Sequence, residues 1–543
     1  MPTPTPLANY TSYKGLPPLA GLCTIEEAAR PGLSVEECVR RLKRLHYGFK
    51  RLHQLLTARI TAEPIYELKT GFAHHAYLCA EHATALRTRI GELREPPLGL
   101  EDVPHPALEA FFDEILAAPT TEELVEGAYG TAIDQLWHGI RKYRDDTNPL
   151  TDAPSRRVLR FALDEVNDMG NWGARVTSSL VEPDSERQTA LEEWGKYLGS
   201  LLAAAGGLDG TATTTASGGR EPHGHPSTQL NTVAASHGAA APGSAQAISS
   251  QPVFSQPVSP QPVSPLGGLT PPTRRGEGVP RRYSATPYRY DPVPKRDERF
   301  TDPWNQGVNA EAFLYNPAYP ARAKALMMLY KRLREIDVPE MMASIITQTP
   351  GKPWGYYRDM SRQLWDEARH AMMGEVGFVA LGVDWTRAKI TLNWSHRLNT
   401  ECTPMERHGV LYFIEQGLMP RTGKRYEFET GQGSALPLVA TLQDFDWADE
   451  VLHSQIGRQW YVPLFGSPKE ALDFGDAAWS RVLSNWATVK DRGLTGHENW
   501  WPAVYEMACR AEGVPPDAAV LAFAETYEGK RADLKAVGEG LSG

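Results

Sequence analysis

The sequence predicts an all-α protein in which two helical bundles are joined by a long disordered linker. Three observations predict it. Apolar residues recur at helical spacing through residues 1–200 and again through 300–543. Between them, residues 203–295 are rich in Ala, Gly, Ser, Thr and Pro, with hardly any large apolar side chains until their end. Two Glu-x-x-His motifs, each preceded by Asp, fall in the second region and nowhere else. The expected domains are 1–202, 203–299 and 300–543.

Composition narrows the function. A chain of 543 residues is too long for one core. A net charge of −10 argues against a general nucleic-acid or anionic-membrane surface. The five cysteines, Cys23, Cys38, Cys79, Cys402 and Cys509, are scattered and lack Cys-x-x-Cys spacing, as reduced thiols in a cytoplasm would be. No apolar run reaches membrane-spanning length. The first residues have neither a basic nor an apolar segment, so no signal peptide is expected.

The elements follow in order. Thr24 to Glu27 reads as a capping box. Amphipathic helices are expected at 34–61, 64–93, 121–143 and 154–170. The linker repeats Gln-Pro-Val from Gln251, Gln256 and Gln261 and cannot bury enough surface to offset chain entropy. His223 and His225 read as ordinary linker residues. Its basic, aromatic end, Arg274 to Tyr290, reads as a strap that docks on the following domain. Beyond it, helices are expected at 319–349, 353–376, 385–418, 435–461, 468–490 and 498–530.

The two helical regions show a faint duplication. Pro64 to His82 aligns with Pro353 to His370 with one insertion, and Leu163 to Gly170 aligns with the stretch around Glu450. Cys79 then stands where Glu367 is, and Asp168 where His453 is. The first copy is expected to keep the scaffold and lose the dinuclear ligands. A single metal held by His82, Glu165 and Asp168, near His74 and His75, stays open.

The motifs carry the chemistry. Asp366-Glu367-Ala368-Arg369-His370 and Asp449-Glu450-Val451-Leu452-His453 each put a carboxylate and an imidazole on one helix face. Glu367 and Glu450 lie fourteen and thirteen residues beyond Pro353 and Pro437, about 20 Å along each helix. A dinuclear site needs two further carboxylates at that level. Counting through the turns offers Glu335 or Glu340 for one, and Glu401 or Glu406 for the other. Glu340 and Glu406 also sit where a helix-capping Glu would, and Glu415 counts as too far along its helix. The alternative for the whole set is a bundle stapled by salt bridges.

The first motif resembles the Asp-Glu-x-Arg-His motif of bacterial multicomponent monooxygenases and the ribonucleotide reductase small subunit, and the second is similar to its other copy. The resemblance covers Glu335 to Trp460. It implies the ferritin-like superfamily and a dinuclear centre, usually two iron ions, with manganese or a mixed pair as variants. It also implies that Asp366 and Asp449 hydrogen-bond the ligating histidines, crosswise: Asp366 with His453 and Asp449 with His370. The implied activity is oxidation of a small organic substrate by O2, with electrons from a separate donor. An iron-binding ferroxidase and a non-catalytic helical interaction protein are the competing readings. No nucleic acid or membrane partner is expected, and an oligomer is compatible with the sequence. No Gly-x-Ser-x-Gly elbow or phosphate-binding loop is present. Arg421 to Arg425 reads as a solvated basic loop, and His396 and His408 as ordinary polar residues.

Overall fold

The computed structural model describes residues 10–182, 185–212, 278–305, 308–421, 423–483 and 487–527. Among these the secondary structure is helical, apart from an isolated bridge between Val308 and Thr526. The linker from 213 to 277, with its Gln-Pro-Val repeats, His223, His225, Arg274 and Arg275, lies outside the described residues.

The amino-terminal half contains α1 (Val35–Arg59), α2 (Tyr66–Leu93), α3 (Pro106–Leu116), α4 (Asp134–Asp146), α5 (Ala153–Leu180) and α6 (Glu186–Ala204). Ser34 caps α1 by accepting from Glu37 N–H. The helix expected at 121–143 begins as Thr121–Val125, winds as a π-helix over Glu126–Ile133 and only then becomes α4. The carboxy-terminal half contains α7 (Ala321–Arg334), α8 (Asp337–Gln348), α9 (Trp354–Ala380), α10 (Asn393–Glu401), α11 (Pro404–Gly417), α12 (Lys424–Gly433), α13 (Pro437–Trp460), α14 (Pro468–Leu483) and α15 (Trp501–Glu512).

Two expected helices are broken, each for a local reason. The 319–349 helix stops at Arg334 and restarts at Asp337, because Pro339 has no N–H to carry the hydrogen-bond ladder through. The 385–418 helix stops at Glu401, and Thr403 with Glu406 forms a reciprocal capping box that starts α11 at Pro404. The stretch left between the expected 385–418 and 435–461 helices instead contains α12, whose Lys424, Glu427 and Gly431 form a buried face.

The two halves do not stand apart. Residues up to Ala212 and from Val279 onward form one compact unit, where the sequence suggested bundles on either side of a linker. One hydrophobic core runs through both halves, from Leu42 and Phe72 to Met360 and Leu411. The strap explains part of this. It docks first on the preceding half: Glu114 accepts from the N–H groups of Arg282, Tyr283 and Ser284 at 2.8, 2.8 and 3.0 Å. Arg281 pairs with Asp113 at 2.8 Å. It then crosses to the second half, where Arg296 binds Asp337 at 2.6 Å.

The seam between the halves is the antiparallel pair α2 and α9. His74 stacks on Trp365 at 4.3 Å, and Arg362 covers the Tyr77 ring at 5.8 Å. In the duplication alignment, His74 corresponds to Arg362 and Tyr77 to Trp365. Contacts of this reciprocal kind are those of a two-fold interface. His53 and Ser361 add a buried hydrogen bond of 2.7 Å across the seam.

Candidate metal centre

Four helices converge on a buried acidic cluster. α7 ends at Glu335, because the Pro339 break leaves that residue as its C-cap. α9 supplies Glu367 and His370 from one face, and α13 supplies Asp446, Glu450 and His453. α11 supplies Glu415. α9 and α13 run antiparallel, so the two motifs meet at one level: His453 Nδ1 lies 3.1 Å from Glu367 and 3.3 Å from Glu450. Close helix approach makes this compact. A Cβ on Gly374 of α9 would stand 2.3 Å from the backbone nitrogen of Leu333 in α7.

Two groups of side chains can hold a metal ion. Glu367, Glu415, Glu450 and His453 form one, and Glu335, His370 and Asp446 the other, with the ligand atoms of each group within 4.8 Å of one another. Glu367 reaches both, since it also lies 3.5 Å from His370 Nδ1. Glu335 Oε2, Glu367 Oε1, His370 Nδ1, Glu415 Oε2, Glu450 Oε2 and His453 Nδ1 are all buried without a well-aligned hydrogen bond, and the two imidazole nitrogens meet only the cluster's own carboxylates, at 3.1–3.5 Å. Each such atom costs about 1–3 kcal/mol when left unsatisfied. They share one small volume, so a cation is the simplest group that satisfies them together.

Each imidazole turns its other nitrogen to an aspartate. His370 Nε2 lies 3.1 Å from Asp449, and His453 Nε2 lies 3.4 Å from Asp366, the crossed arrangement. Arg369 bridges Asp366 and Asp449 at 2.5 and 2.7 Å, so the aspartates are held from outside. This fixes both rings with Nδ1 toward the cluster, as metal-ligating histidines require.

Charge is the dominant feature. Glu335, Glu367, Glu415, Glu427, Asp446 and Glu450 face only Lys331, Arg332 and Lys424. Negative charge is therefore in excess by three. Without metal, protons must answer it. Burial disfavours charged His370, but Asp449, Glu335 and Glu367 outweigh burial and lift its pKa to about 10. His453 is raised likewise, against burial, by Asp366, Glu367 and Glu450. Burial, then Glu450 and Glu367, push Glu415 well above the usual carboxylate range. Against burial, Arg332 and Lys424 hold Glu335 at about 2.

The remaining expected ligands lie elsewhere. Glu340 is buried on α8, but it pairs with Lys69 at 2.6 Å and with Arg296, and accepts from Ser395 at 2.8 Å. Glu401 pairs with Arg397 at 2.9 Å at the end of α10. Glu406 caps α11 and binds Arg481 at 2.8 Å. Glu415 takes the place considered for Glu401 or Glu406. The level count failed because it treated 420–433 as a simple loop between α11 and α13. The α12 excursion uncouples where α11 ends from where α13 begins. Lys424, read as solvated, is fully buried with its ammonium 2.9 Å from Glu450 and 2.8 Å from Asp446. Asp446 was missed although it lies one helical turn before Glu450.

The amino-terminal half shows no comparable group among the described residues. His82 pairs with Glu165 at 2.7 Å, Asp168 is exposed, and His75 meets the Tyr129 hydroxyl at 2.8 Å.

A scan against protein-family models finds no match, and searches of curated proteins and of solved structures find none either. No described helix is long and apolar enough to cross a membrane, and the five cysteines form no disulfide.

Proposed function

We propose that the chain is a ferritin-like, di-iron carboxylate oxidase or oxygenase, with manganese or a mixed pair as the alternative metals. The observation that carries this reading is the convergence of six buried ligand atoms, which meet only one another, on two Glu-x-x-His helices and two further helices. Four carboxylates and two imidazoles form a hard donor set, suited to iron or manganese and poorly suited to soft-metal chemistry. Glu335, Glu367 and His370 would hold one ion, and Glu367, Glu415, Glu450 and His453 the other. Bound there, the metals supply redox chemistry with O2.

The protein's own groups do the rest. Asp366 and Asp449 hold the imidazoles in one tautomer. Arg369 holds the aspartates. Lys424 and Arg332 temper the negative charge, so that divalent ions are bound without excessive loss of Lewis acidity. Gly374 lets α7 approach α9 closely enough for Glu335 to reach the centre. Glu335 is 17 % exposed while Glu367, Glu415 and Glu450 are at 2–4 %. Glu335 is thus the ligand nearest the surface, and we place the approach of small molecules on its side.

The test is metal content per chain after expression with ample iron, for wild type and the His370→Ala/His453→Ala double variant. About two ions per wild-type chain, as in dinuclear carboxylate bundles, and loss of them in the variant are expected. Metal-free wild-type protein would sink the reading and leave a helical interaction protein.

A further inference from the structure

The two ligand groups of the cluster are not equally prepared for an ion. In the first, three ligands are held by the far atom and turn the near one to the cluster. Glu450 gives Oε1 to the Lys424 ammonium at 2.9 Å, which leaves Oε2. Glu415 accepts from the Gln363 amide through Oε1 at 3.1 Å, which again leaves Oε2. Gln363 stands one turn before Glu367 on the same face of α9 and is 1 % exposed. As an amide it orients Glu415 without adding charge. His453 turns Nε2 to Asp366 and keeps Nδ1, and Glu367 Oε1 lies 3.1 Å from that nitrogen.

The second group is partly taken up by the protein's own cations. Asp446 receives Arg332 and Lys424 on Oδ1, and Lys424 again on Oδ2 at 2.9 Å. Glu335 gives Oε1 to Arg332 at 2.8 Å. Only Glu335 Oε2 and His370 Nδ1 remain, with a share of Glu367 at 3.5 Å. The two carboxylates of this group thus meet both Arg332 and Lys424. Among the described residues, the three of the first group meet Lys424 alone.

We propose that the centre fills in a fixed order: one divalent ion enters the Glu367, Glu415, Glu450 and His453 group first, and a second enters beside Glu335 and His370 at least about a hundredfold more weakly. This rests on the metal-centre reading above. An ion entering the first group meets ligand atoms already held in place, so little ordering opposes binding. An ion entering the second stands beside two buried cations whose charge opposes it where the dielectric is low. It can take Asp446 only by breaking buried ion pairs, which is costly. Chemistry that needs both ions is then available only when the second position is filled, so the weak position makes the centre answer to metal supply.

The test titrates the metal-free, full-length chain with manganese(II) alone and counts the free ion by its electron paramagnetic resonance signal. Wild type is expected to take one ion and then another, in steps about a hundredfold or more apart. Each variant is checked for native helicity. His453→Ala should lose the tight step. His370→Ala should keep it and lose the weak one. Arg332→Met should narrow the gap by tightening the second step. Two ions taken up in one step, a tight step lost in His370→Ala and kept in His453→Ala, or a gap unchanged in Arg332→Met would overturn the order. So would equal losses in the two histidine variants, the result that mutual repulsion of the ions alone would give. A single ion at every concentration, kept in His370→Ala, would uphold the first position and overturn the dinuclear reading. No uptake by wild type would overturn both.

Discussion

Replacing Lys424 by methionine separates the protein's own cation from the metal ions proposed for the cluster beside it. The ammonium is completely buried and contacts Asp446 and Glu450 at 2.8–2.9 Å. Methionine keeps most of the volume and removes the charge. In metal-free protein the excess negative charge of the cluster then rises from three to four. Breaking a buried ion pair from one side costs about 3–5 kcal/mol. With two divalent ions in the proposed centre, their four positive charges answer the cluster's excess negative charge, and the cost should fall below about 1 kcal/mol, the range of a modest core replacement. By linkage, the difference of roughly 3–4 kcal/mol appears as metal affinity, about 100- to 1000-fold tighter in the variant. The assay is urea denaturation of both proteins in chelator and in saturating manganese(II), with competition titration for the affinities. Equal destabilisation in both conditions, or weaker metal binding by the variant, would refute the placement of Lys424 as a stand-in cation.

Three further outcomes are expected. Glu415→Ala should weaken metal binding by more than the 10–100-fold typical of residues behind the ligands, whereas Glu401→Ala should leave it unchanged, as read by competition titration. Gly374→Ala should cost about 1–3 kcal/mol in denaturation experiments and also lower metal affinity, because the added methyl must push the α7 backbone away from α9. Burial holds His53 at about 4, and burial with nearby Lys352 holds His408 at about 3, below the unfolded value of about 6.5. Both are neutral in the fold, so their contribution is full above pH 6.5 and is lost as pH falls toward those values. Between pH 7.5 and 5 each should remove about 2 kcal/mol, and His53→Phe and His408→Phe should each flatten the pH dependence of the urea midpoint by that share.

The legible parts of this chain were those governed by local pattern. α9 and α13 run within a few residues of their expected spans, because each has a proline at its start and an unbroken apolar stripe. The meeting of their motifs follows from equal distance to the helix start. The capping roles of Thr24 and of Glu406 were readable for the same reason, since a capping box is a four-residue event. Glu415 and Lys424 were not legible. Their positions depend on α12, a ten-residue helix with three glycines or threonines in its last turns and little intrinsic helix strength. Its buried face is polar, Lys424 and Glu427, and only the acidic cluster opposite makes that burial favourable. Nor could the union of the two halves be read, because it depends on Glu114, Asp113 and Asp337 receiving strap residues more than forty positions away.

The reciprocal contacts of α2 and α9 have a consequence for how the centre fills. A two-fold assembly of identical subunits offers two equivalent centres, and occupation of one can raise or lower the affinity of its twin. Here both sides of the seam belong to one chain, and among the described residues only one side carries a group of potential metal ligands. Among the described residues of this chain the proposed centre has no counterpart across the seam, so a movement of α9 on metal binding would reach α2 rather than a second centre.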